Sequence, residues 1–275
     1  MARRLHQAGH TVHAWNRTQS KADPLAALGI AVHATVAEAV RQADIVVSLL
    51  ENGPAVEHVL FHAGAAQAMR PGTLFIDMAS IQPREARDHA ARLGEMGLAH
   101  LDAPVSGGTV GAENGTLAIM AGGRAEDFAR AQPVFAALGR ATHVGPHGSG
   151  QLAKLANQMI VGITIGAVAE ALLFAAKGGA DMAKVREAIQ GGFADSRILQ
   201  LHGQRMVDRD FAPKARMGVQ LKDMRNALGT AKEIGFDAPV TTLFEALYAE
   251  GVEHGLGELD HSGLFVELAS RNAMQ

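Results

Sequence analysis

Cysteine is absent from this sequence of 275 residues, which excludes disulfides, cysteine-ligated zinc and thiol catalysis. The 25 basic and 28 acidic residues give a net charge of −3, so the chain lacks the broad positive field that attracts nucleic acid or an anionic membrane. We therefore expect a small-molecule partner and no nucleic acid.

Long uncharged segments are also lacking. The longest, LANQMIVGITIGAVA at 155–169, falls short of the ~20 apolar residues that a membrane span requires, so we interpret it as a core helix and not an anchor. Arg3 and Arg4 are not followed by an apolar segment with a cleavage site, so the amino terminus does not resemble a signal peptide. The expectation is a cytoplasmic protein that does not contact a membrane.

Short β-rich runs alternate with helical patterns from residue 11 to about residue 145. Runs such as the one from Ile45 to Leu50 are almost entirely apolar, which indicates strands buried on both faces, as in a parallel sheet covered by helices. We predict an α/β fold with a Rossmann-type doubly wound sheet over residues 1–147, followed by an all-helical domain over residues 148–275.

A long helix opens the second domain, with Ser149 as its expected cap and the glycine pair at 178–179 as its end. Small residues at 162, 166 and 169 are spaced for close approach of another helix, and the helix is apolar around most of its circumference. One domain would not cover such a surface, so we expect a homodimer or homotetramer. Further helical patterns follow at 181–190, 196–208, 217–235, 239–254 and 260–271.

Polar residues interrupt this helix near its start. Lys154, Asn157 and Gln158 are spaced i, i+3 and i+4 and share one face. A lysine whose ammonium group reaches solvent is the ordinary interpretation of such a residue. The functional interpretation is a general acid that protonates an alkoxide as a hydride reaches the carbonyl carbon.

Two loops offer binding groups. Ser106, Gly107 and Gly108 follow a predicted strand that ends at Val105, and they offer a hydroxyl and unobstructed backbone N–H groups to a carboxylate. Asn16-Arg17-Thr18 ends the first strand, where a dinucleotide-binding fold meets the adenosine ribose; the absence of an acidic residue and the presence of arginine favour NADP(H) over NAD(H). An exposed Asn-Arg turn without function is the alternative for the second loop.

Motifs along the whole chain together resemble the β-hydroxyacid dehydrogenase family, whose members are similar to 3-hydroxyisobutyrate dehydrogenase. Within this family, the motifs most closely resemble those of the tartronate semialdehyde reductases. These motifs are FIDMASIQP, DAPVSGG, GTLAIMAGG, KLANQMIV, AVAEALLFAAKGG, AIQGGFADS, VDRDFAPKARM, LKDMRNAL and GLGELDHSGL. The resemblance implies an NADP(H)-dependent oxidoreductase, with NAD(H) as the other cofactor, that interconverts a short semialdehyde acid and its hydroxy acid. Tartronate semialdehyde and 3-hydroxyisobutyrate are the substrate types implied.

For the reaction itself, the resemblance implies that Lys154 is the catalytic lysine and that Asn157 orients the substrate. Ser106, Gly107 and Gly108 match its substrate-carboxylate loop. Gln158 stands where many relatives carry a second asparagine, which favours the reductase branch.

The resemblance also implies cofactor contacts at Leu49, Leu50 and Ser80, in addition to the turn at residues 16–18. Lys222 matches a lysine that reaches the cofactor, and Asp223 beside it is assigned with Gln158 to the substrate. No metal is expected, because the histidine pairs of the sequence lie outside any HExxH motif.

Members of this family begin with a strand and a G-x-G-x-x-G loop, and no such fingerprint stands before the predicted strand at 11–15. We expect a misassigned start or a truncation, and weak NADPH binding by the chain as it stands. One alternative is a catalytically inactive oligomerising or binding protein of the same family. Imine reductases are a third possibility, although they usually replace the lysine.

Overall fold

The computed structural model describes residues 1–274, which form two compact units, one of them Met1–Lys154 and the other beginning at Leu155. The strands of the first unit are β1 (His13–Ala14), β2 (Ala31–Val32), β3 (Ile45–Ser48), β4 (Leu74–Asp77), β5 (Ala99–Asp102), β6 (Val105–Ser106), β7 (Leu117–Gly123) and β8 (Gly139–Gly145). Its helices are α1 (Ala2–Gln7), α2 (Gln19–Ala22), α3 (Val36–Val40), α4 (Gly53–Glu57), α5 (Ala65–Ala68), α6 (Pro83–Glu95), α7 (Gly108–Asn114) and α8 (Ala125–Leu138).

The α-helix α9 (Ser149–Lys177) runs from the first unit into the second. The second unit continues with α10 (Met182–Ile189), α11 (Arg197–Asp208), α12 (Met217–Glu233), α13 (Pro239–Gly251) and α14 (Leu264–Arg271). Short 3₁₀ or π segments extend this set at Asp23–Leu28, His58–His62, Val252–Leu256 and His261–Gly263.

The larger sheet has six strands in the order β3-β4-β5-β7-β6, with β8 added beside β7. Strands β3, β4 and β5 are parallel and in register, so that Ser48, Asp77 and Asp102 lie side by side where the three strands end. The predicted α/β architecture is confirmed. Strands β1 and β2 pair in parallel with each other and form a separate two-stranded sheet, a division that the sequence pattern did not predict.

Helices cover both faces of the larger sheet, as the apolar strands predicted. Phe75 of β4 points into a core with α3, α4, α5 and α6, to which Trp15 also contributes. Its neighbours Leu74 and Ile76 point into a second core on the other face, built with α8 and the first turn of α1. This alternation places successive residues of β4 on opposite faces, and both faces are apolar.

Side-chain caps explain where several helices begin. Thr35 and Glu38 form a capping box at α3, while Asn52, Asp181 and Ser196 accept backbone N–H groups at the starts of α4, α10 and α11. These caps bring the predicted starts of the later helices close to the observed ones.

The start of α9 is different, and the prediction that Ser149 caps it is wrong. The carboxylate of Asp102, at the end of β5, accepts the backbone N–H groups of Gly148 at 2.8 Å and Gln151 at 2.9 Å. A Cβ on Gly150 would overlap the carbonyl oxygens of Asp102 and Met120, so the helix start lies directly against the sheet. A buried carboxylate distant in sequence therefore fixes where α9 begins.

The second unit is all-helical, as predicted, and its core is built around α9. Ile165, Ala169, Leu172 and Leu173 of α9 lie in that core. By length and composition α9 is long and apolar enough to cross a membrane, so the expectation that this segment falls short of a membrane span is wrong on that count. Its packing in the core supports the interpretation as a core helix.

The small residues of α9 allow close approach of helices from the same chain. A Cβ on Gly162 would lie 2.6 Å from Nε2 of Gln220 in α12, and one on Gly166 would overlap the ring of Phe244 in α13. The spacing of these glycines thus predicted close packing correctly, and two of its partners belong to the second unit itself.

Candidate active site

The carboxyl ends of β3, β4 and β5 form one edge of the larger sheet. Leu49 and Leu50 directly follow β3, and Ser80 lies three residues beyond β4. Leu49 is 56% exposed, Leu50 is partly buried and Ser80 is partly buried. Because ligands of open α/β sheets bind outside the carboxyl ends of the strands, the structure brings three predicted cofactor residues to the edge that such a ligand occupies.

The loop with Ser106, Gly107 and Gly108 also begins beyond β5. The strand preceding it does not end at Val105 as predicted, because Ser106 still pairs with Ala118 in the antiparallel ladder between β6 and β7. Gly107 and Gly108 are exposed and have backbone φ values of 128° and 62°, which residues other than glycine rarely adopt. Two consecutive glycines are therefore needed to turn the chain from β6 into α7.

Asn16, Arg17 and Thr18 form an exposed turn after β1. Oδ1 of Asn16 accepts the backbone N–H of Thr18 at 2.9 Å, which is the usual Asx turn. The guanidinium of Arg17 is thereby presented to solvent at the end of a parallel strand, where the sequence predicted it.

A buried carboxyl group lies at the same edge as the cofactor residues and was missed by the sequence analysis. Burial, together with the charges of Asp102 and Glu85, raises the pKa of Asp77 to about 7 despite the N–H of Ala79 that its Oδ1 accepts at 3.0 Å. Within residues 1–274 neither Oδ2 of Asp77 nor Oγ of Ser48 has a hydrogen-bond partner. Asp77 is consequently protonated in the folded chain below neutral pH.

Replacement of Asp77 by asparagine tests this protonation. The folded pKa of about 7 exceeds the ordinary value of 3.8, so the folded state binds more protons than the unfolded state between these pH values. The contribution of Asp77 to the free energy of unfolding therefore falls as pH rises from about 4 to 7. We expect Asp77→Asn to remove this loss, which reaches about 4 kcal/mol above pH 7.

Thermal unfolding of wild type and Asp77→Asn from pH 4 to pH 8 measures the effect. Burial lowers the pKa of His100 to about 3, which gives a slope of the opposite sign. His100 is present in both proteins, so its contribution cancels in their difference. A difference in unfolding temperature that does not vary with pH would contradict the assignment.

Lys154 lies in the second turn of α9 and is partly buried. Asn157 and Gln158 lie one turn further along and are also partly buried. The predicted polar face is therefore present on the helix.

In the second unit, four predicted residues form one hydrogen-bonded network. Nδ2 of Asn157 donates to Oε1 of Gln158 at 2.9 Å, and Nε2 of Gln158 donates to Oδ2 of Asp223 at 2.8 Å. Nζ of Lys222 lies 3.1 Å from Oδ1 of the same carboxylate. Asp223 is only 2% exposed, so its buried carboxylate is paired with the lysine ammonium and accepts a hydrogen bond from the amide.

Gln220 completes this network and was missed by the sequence analysis. Its Nε2 donates to the carbonyl oxygen of Gln158 at 2.9 Å, while its Oε1 accepts from the Gln158 side chain at 3.2 Å. The spacing of Gln220 from Asp223 in α12 could have indicated it, since residues at i and i+3 are neighbours on one face of a helix.

Elsewhere in the described chain, three side chains that could together ligate a metal ion lie close to one another: His202, Asp260 and His261. Asp260 already accepts hydrogen bonds from Ser262, through its N–H and hydroxyl, and from the backbone of residues 214 and 215. Burial would raise the pKa of Asp260, but the hydrogen bonds outweigh it and hold the pKa well below its usual range. We interpret this group as a polar anchor for the loop before α14.

Comparison with known proteins agrees with this geometry. Residues 1–145 match the NAD-binding domain of 6-phosphogluconate dehydrogenase, and residues 148–268 match the NAD-binding domain of NADP-dependent 3-hydroxyisobutyrate dehydrogenase. The chain is 43% identical over 266 residues to 2-hydroxy-3-oxopropionate reductase of Escherichia coli, covering 96% of this chain and 91% of that protein. It is 33% identical to an NAD-dependent L-serine dehydrogenase of Pseudomonas aeruginosa, covering 95% and 91%.

A solved 3-hydroxyisobutyrate dehydrogenase of Mycobacterium tuberculosis, studied with L-serine, is similar in structure. Its TM-score is 0.89 at 31% identity, with 97% of this chain and 94% of that chain covered. Fold and site thus define a nicotinamide-dependent dehydrogenase or reductase with an α/β domain and a helical domain. The chain belongs to the 3-hydroxyisobutyrate dehydrogenase-like β-hydroxyacid dehydrogenases.

Proposed function

We propose that this protein reduces a short semialdehyde acid to its hydroxy acid with NADPH, and that tartronate semialdehyde is its preferred substrate. The observation that carries the proposal is the position of Lys154, the lysine of the catalytic motif, one turn after the helix start that Asp102 anchors to the edge of the sheet. The similarity to 2-hydroxy-3-oxopropionate reductase supports the substrate.

Residues at the sheet edge fit a nicotinamide dinucleotide. Leu49 offers exposed apolar surface and Ser80 a hydroxyl, while Arg17 offers an exposed guanidinium in a turn without an acidic residue. A guanidinium binds a phosphate group bidentately, so Arg17 favours NADPH with its 2′-phosphate. NADH is the other cofactor to be tested, and the related L-serine dehydrogenase is described as NAD-dependent.

A nicotinamide dinucleotide held by these residues would supply the hydride that reduces the aldehyde carbon. The ammonium group of Lys154 stabilises the negative charge that develops on the carbonyl oxygen and donates the proton that completes the alcohol. Ser106 and the N–H groups of Gly107 and Gly108 hold the substrate carboxylate, which fixes the aldehyde in a reactive orientation.

We also propose binding roles for four residues of the second unit. The amide of Asn157 orients the substrate, and Gln158 and Asp223 contribute to its binding. Lys222 contacts the cofactor, held by its ion pair with Asp223.

Steady-state kinetics test the proposal. NADPH and NADH are compared for the reduction of tartronate semialdehyde and of succinic semialdehyde, and NADP⁺ and NAD⁺ for the oxidation of 3-hydroxyisobutyrate. At NADPH concentrations high enough to offset the weak binding expected of this chain, we expect turnover with tartronate semialdehyde. We also expect Arg17→Ala to raise the KM for NADPH more than the KM for NADH. If no combination of substrate and cofactor gives turnover, the proposed enzymatic activity is rejected, and the alternative of an inactive oligomerising or binding protein is favoured.

We also propose that the protein assembles as a homodimer or homotetramer through α9 and α13. Ile160 and Phe174 of α9 are 66% and 81% exposed, and Val240 and Leu243 of α13 are more than half exposed. Apolar surface of this kind on a helix pair is typical of an interface between copies. Light scattering that finds a monomer at micromolar concentration would contradict this assembly.

A further inference from the structure

Gln151, in the first turn of α9, binds the loop that follows β4. The residue is fully buried. Its Oε1 accepts the backbone N–H of Ile81 at 3.1 Å, and its Nε2 donates to the carbonyl oxygen of Ala79 at 2.9 Å. These two backbone groups flank Ser80, so one amide side chain clamps the loop on both sides of a proposed cofactor contact.

The backbone of Gln151 is held as firmly as its side chain. Its N–H donates to Oδ2 of Asp102 at 2.9 Å. A Cβ on Gly122 of β7 would lie 2.6 Å from the backbone nitrogen of Gly150, so the neighbouring turn has no room to shift towards the sheet. Gln151 is thus fixed relative to β5, and the loop at 79–81 is fixed relative to Gln151.

Lys154 follows Gln151 by three residues and lies one turn along the same helix. We propose that Gln151 is a positioning residue, which sets the Ser80 loop relative to the helix turn that carries Lys154. This inference rests on the proposed function, since it requires that Ser80 contacts the cofactor and that Lys154 donates the proton. Gln151 then holds both the Ser80 loop, which contacts the hydride donor, and the helix that carries Lys154, which supplies the proton.

An amide is the side chain that this position requires. It combines one acceptor for the N–H of Ile81 with one donor for the oxygen of Ala79. A methionine of similar length offers no donor and at most a weak acceptor, and an ionised glutamate offers acceptors only. A protonated glutamic acid offers both, through its carbonyl oxygen and its hydroxyl.

Two substitutions therefore test the inference. Gln151→Met removes the clamp at nearly constant volume, and because a misplacement of about 1 Å can lower the rate by about 100-fold, we expect kcat to fall roughly 10- to 100-fold. Hydride transfer should become slower than the other steps. The isotope effect on kcat with NADPH deuterated at the transferred position should therefore rise above that of the wild type.

Gln151→Glu should show a pH-dependent defect. We expect its kcat to approach the wild-type value as pH falls and the carboxyl group becomes protonated. The neighbouring Asp77 and Asp102 titrate in both proteins, so the profile is taken as the ratio of variant to wild type. Gln204→Met is the matched control, because Nε2 of Gln204 donates to Oδ1 of Asp208 in its own helix, α11, at 2.8 Å.

Amide hydrogen exchange of the segment 78–82, measured by mass spectrometry, reports the clamp independently of activity. We expect faster exchange there in Gln151→Met and unchanged exchange in Gln204→Met. Faster exchange with wild-type kcat and isotope effect would mean a structural role only and would overturn the inference, as would unchanged exchange. A wild-type protein that turns over no substrate would reject the proposed function and the positioning role with it, whereas the exchange result would still establish whether the clamp exists.

Discussion

Lys154→Ala is expected to lower the kcat for semialdehyde reduction by about 10²- to 10⁴-fold, the contribution typical of a positioned general acid. This corresponds to roughly 3 to 5 kcal/mol of transition-state stabilisation. The KM for NADPH should change little, because the proposed role of the ammonium group is to protonate the substrate oxygen. Steady-state kinetics with saturating semialdehyde give both values.

Two further variants separate the proton from the charge. Lys154→Arg keeps the positive charge but holds its proton too tightly to donate it, so it should recover only the electrostatic part of the loss. Lys177→Ala, at the exposed end of the same helix, is the matched control; its Nζ bonds the carbonyl oxygen of Asn272 and has no part in the reaction. A Lys154→Ala protein with wild-type kcat would remove this residue from its proposed role.

The second large effect concerns stability. At Gly166 a new Cβ overlaps the ring of Phe244, and overpacking of this kind costs about 3 kcal/mol. Exchange of glycine for alanine within a helix returns up to about 1 kcal/mol through helix propensity. The clash is the larger effect, so Gly166→Ala should lower the unfolding temperature of the second unit by roughly 5 to 10 °C.

Calorimetry of the purified chain measures this shift. Gly229→Ala in α12 is the matched control, because nothing lies within 4 Å of the Cβ it would add, and it should stabilise slightly. Phe244→Leu should destabilise the wild type yet relieve part of the Gly166→Ala defect, since the two residues share one contact. Simple additivity of the two substitutions would show that the clash is not the cause.

Periodicity and local caps were sufficient to predict much of the fold. The apolar run at 45–50 contains β3, and α11 lies within the helical pattern predicted at 196–208. The separate β1–β2 sheet could not be predicted in the same way, because pairing depends on which strands are adjacent in space. The start of α9 was misassigned to Ser149 for a similar reason, since its cap is 46 or more residues distant.

The residues of the candidate site likewise fall into those that local sequence motifs indicate and those that depend on contacts in the folded chain. Lys154 and Asn157 have reactive or polar side chains and stand in a motif, so they could be proposed from the sequence, and their roles stay a prediction. Gln151 and Gln220 act through hydrogen bonds to backbone and to buried amides, and in the sequence they are ordinary helical glutamines. Asp77 was missed because the apolar strand around it gives no sign that its carboxyl group lacks a partner for one oxygen.

The cap supplied by Asp102 bears on the order in which the chain folds. The first turn of α9 obtains its acceptor from a strand about 50 residues earlier, and closing a loop of that length costs entropy that a local cap would avoid. We therefore expect the start of α9 to form only after β5 has joined the sheet. The helix with the proposed proton donor thus becomes complete late, when the edge that it serves already exists.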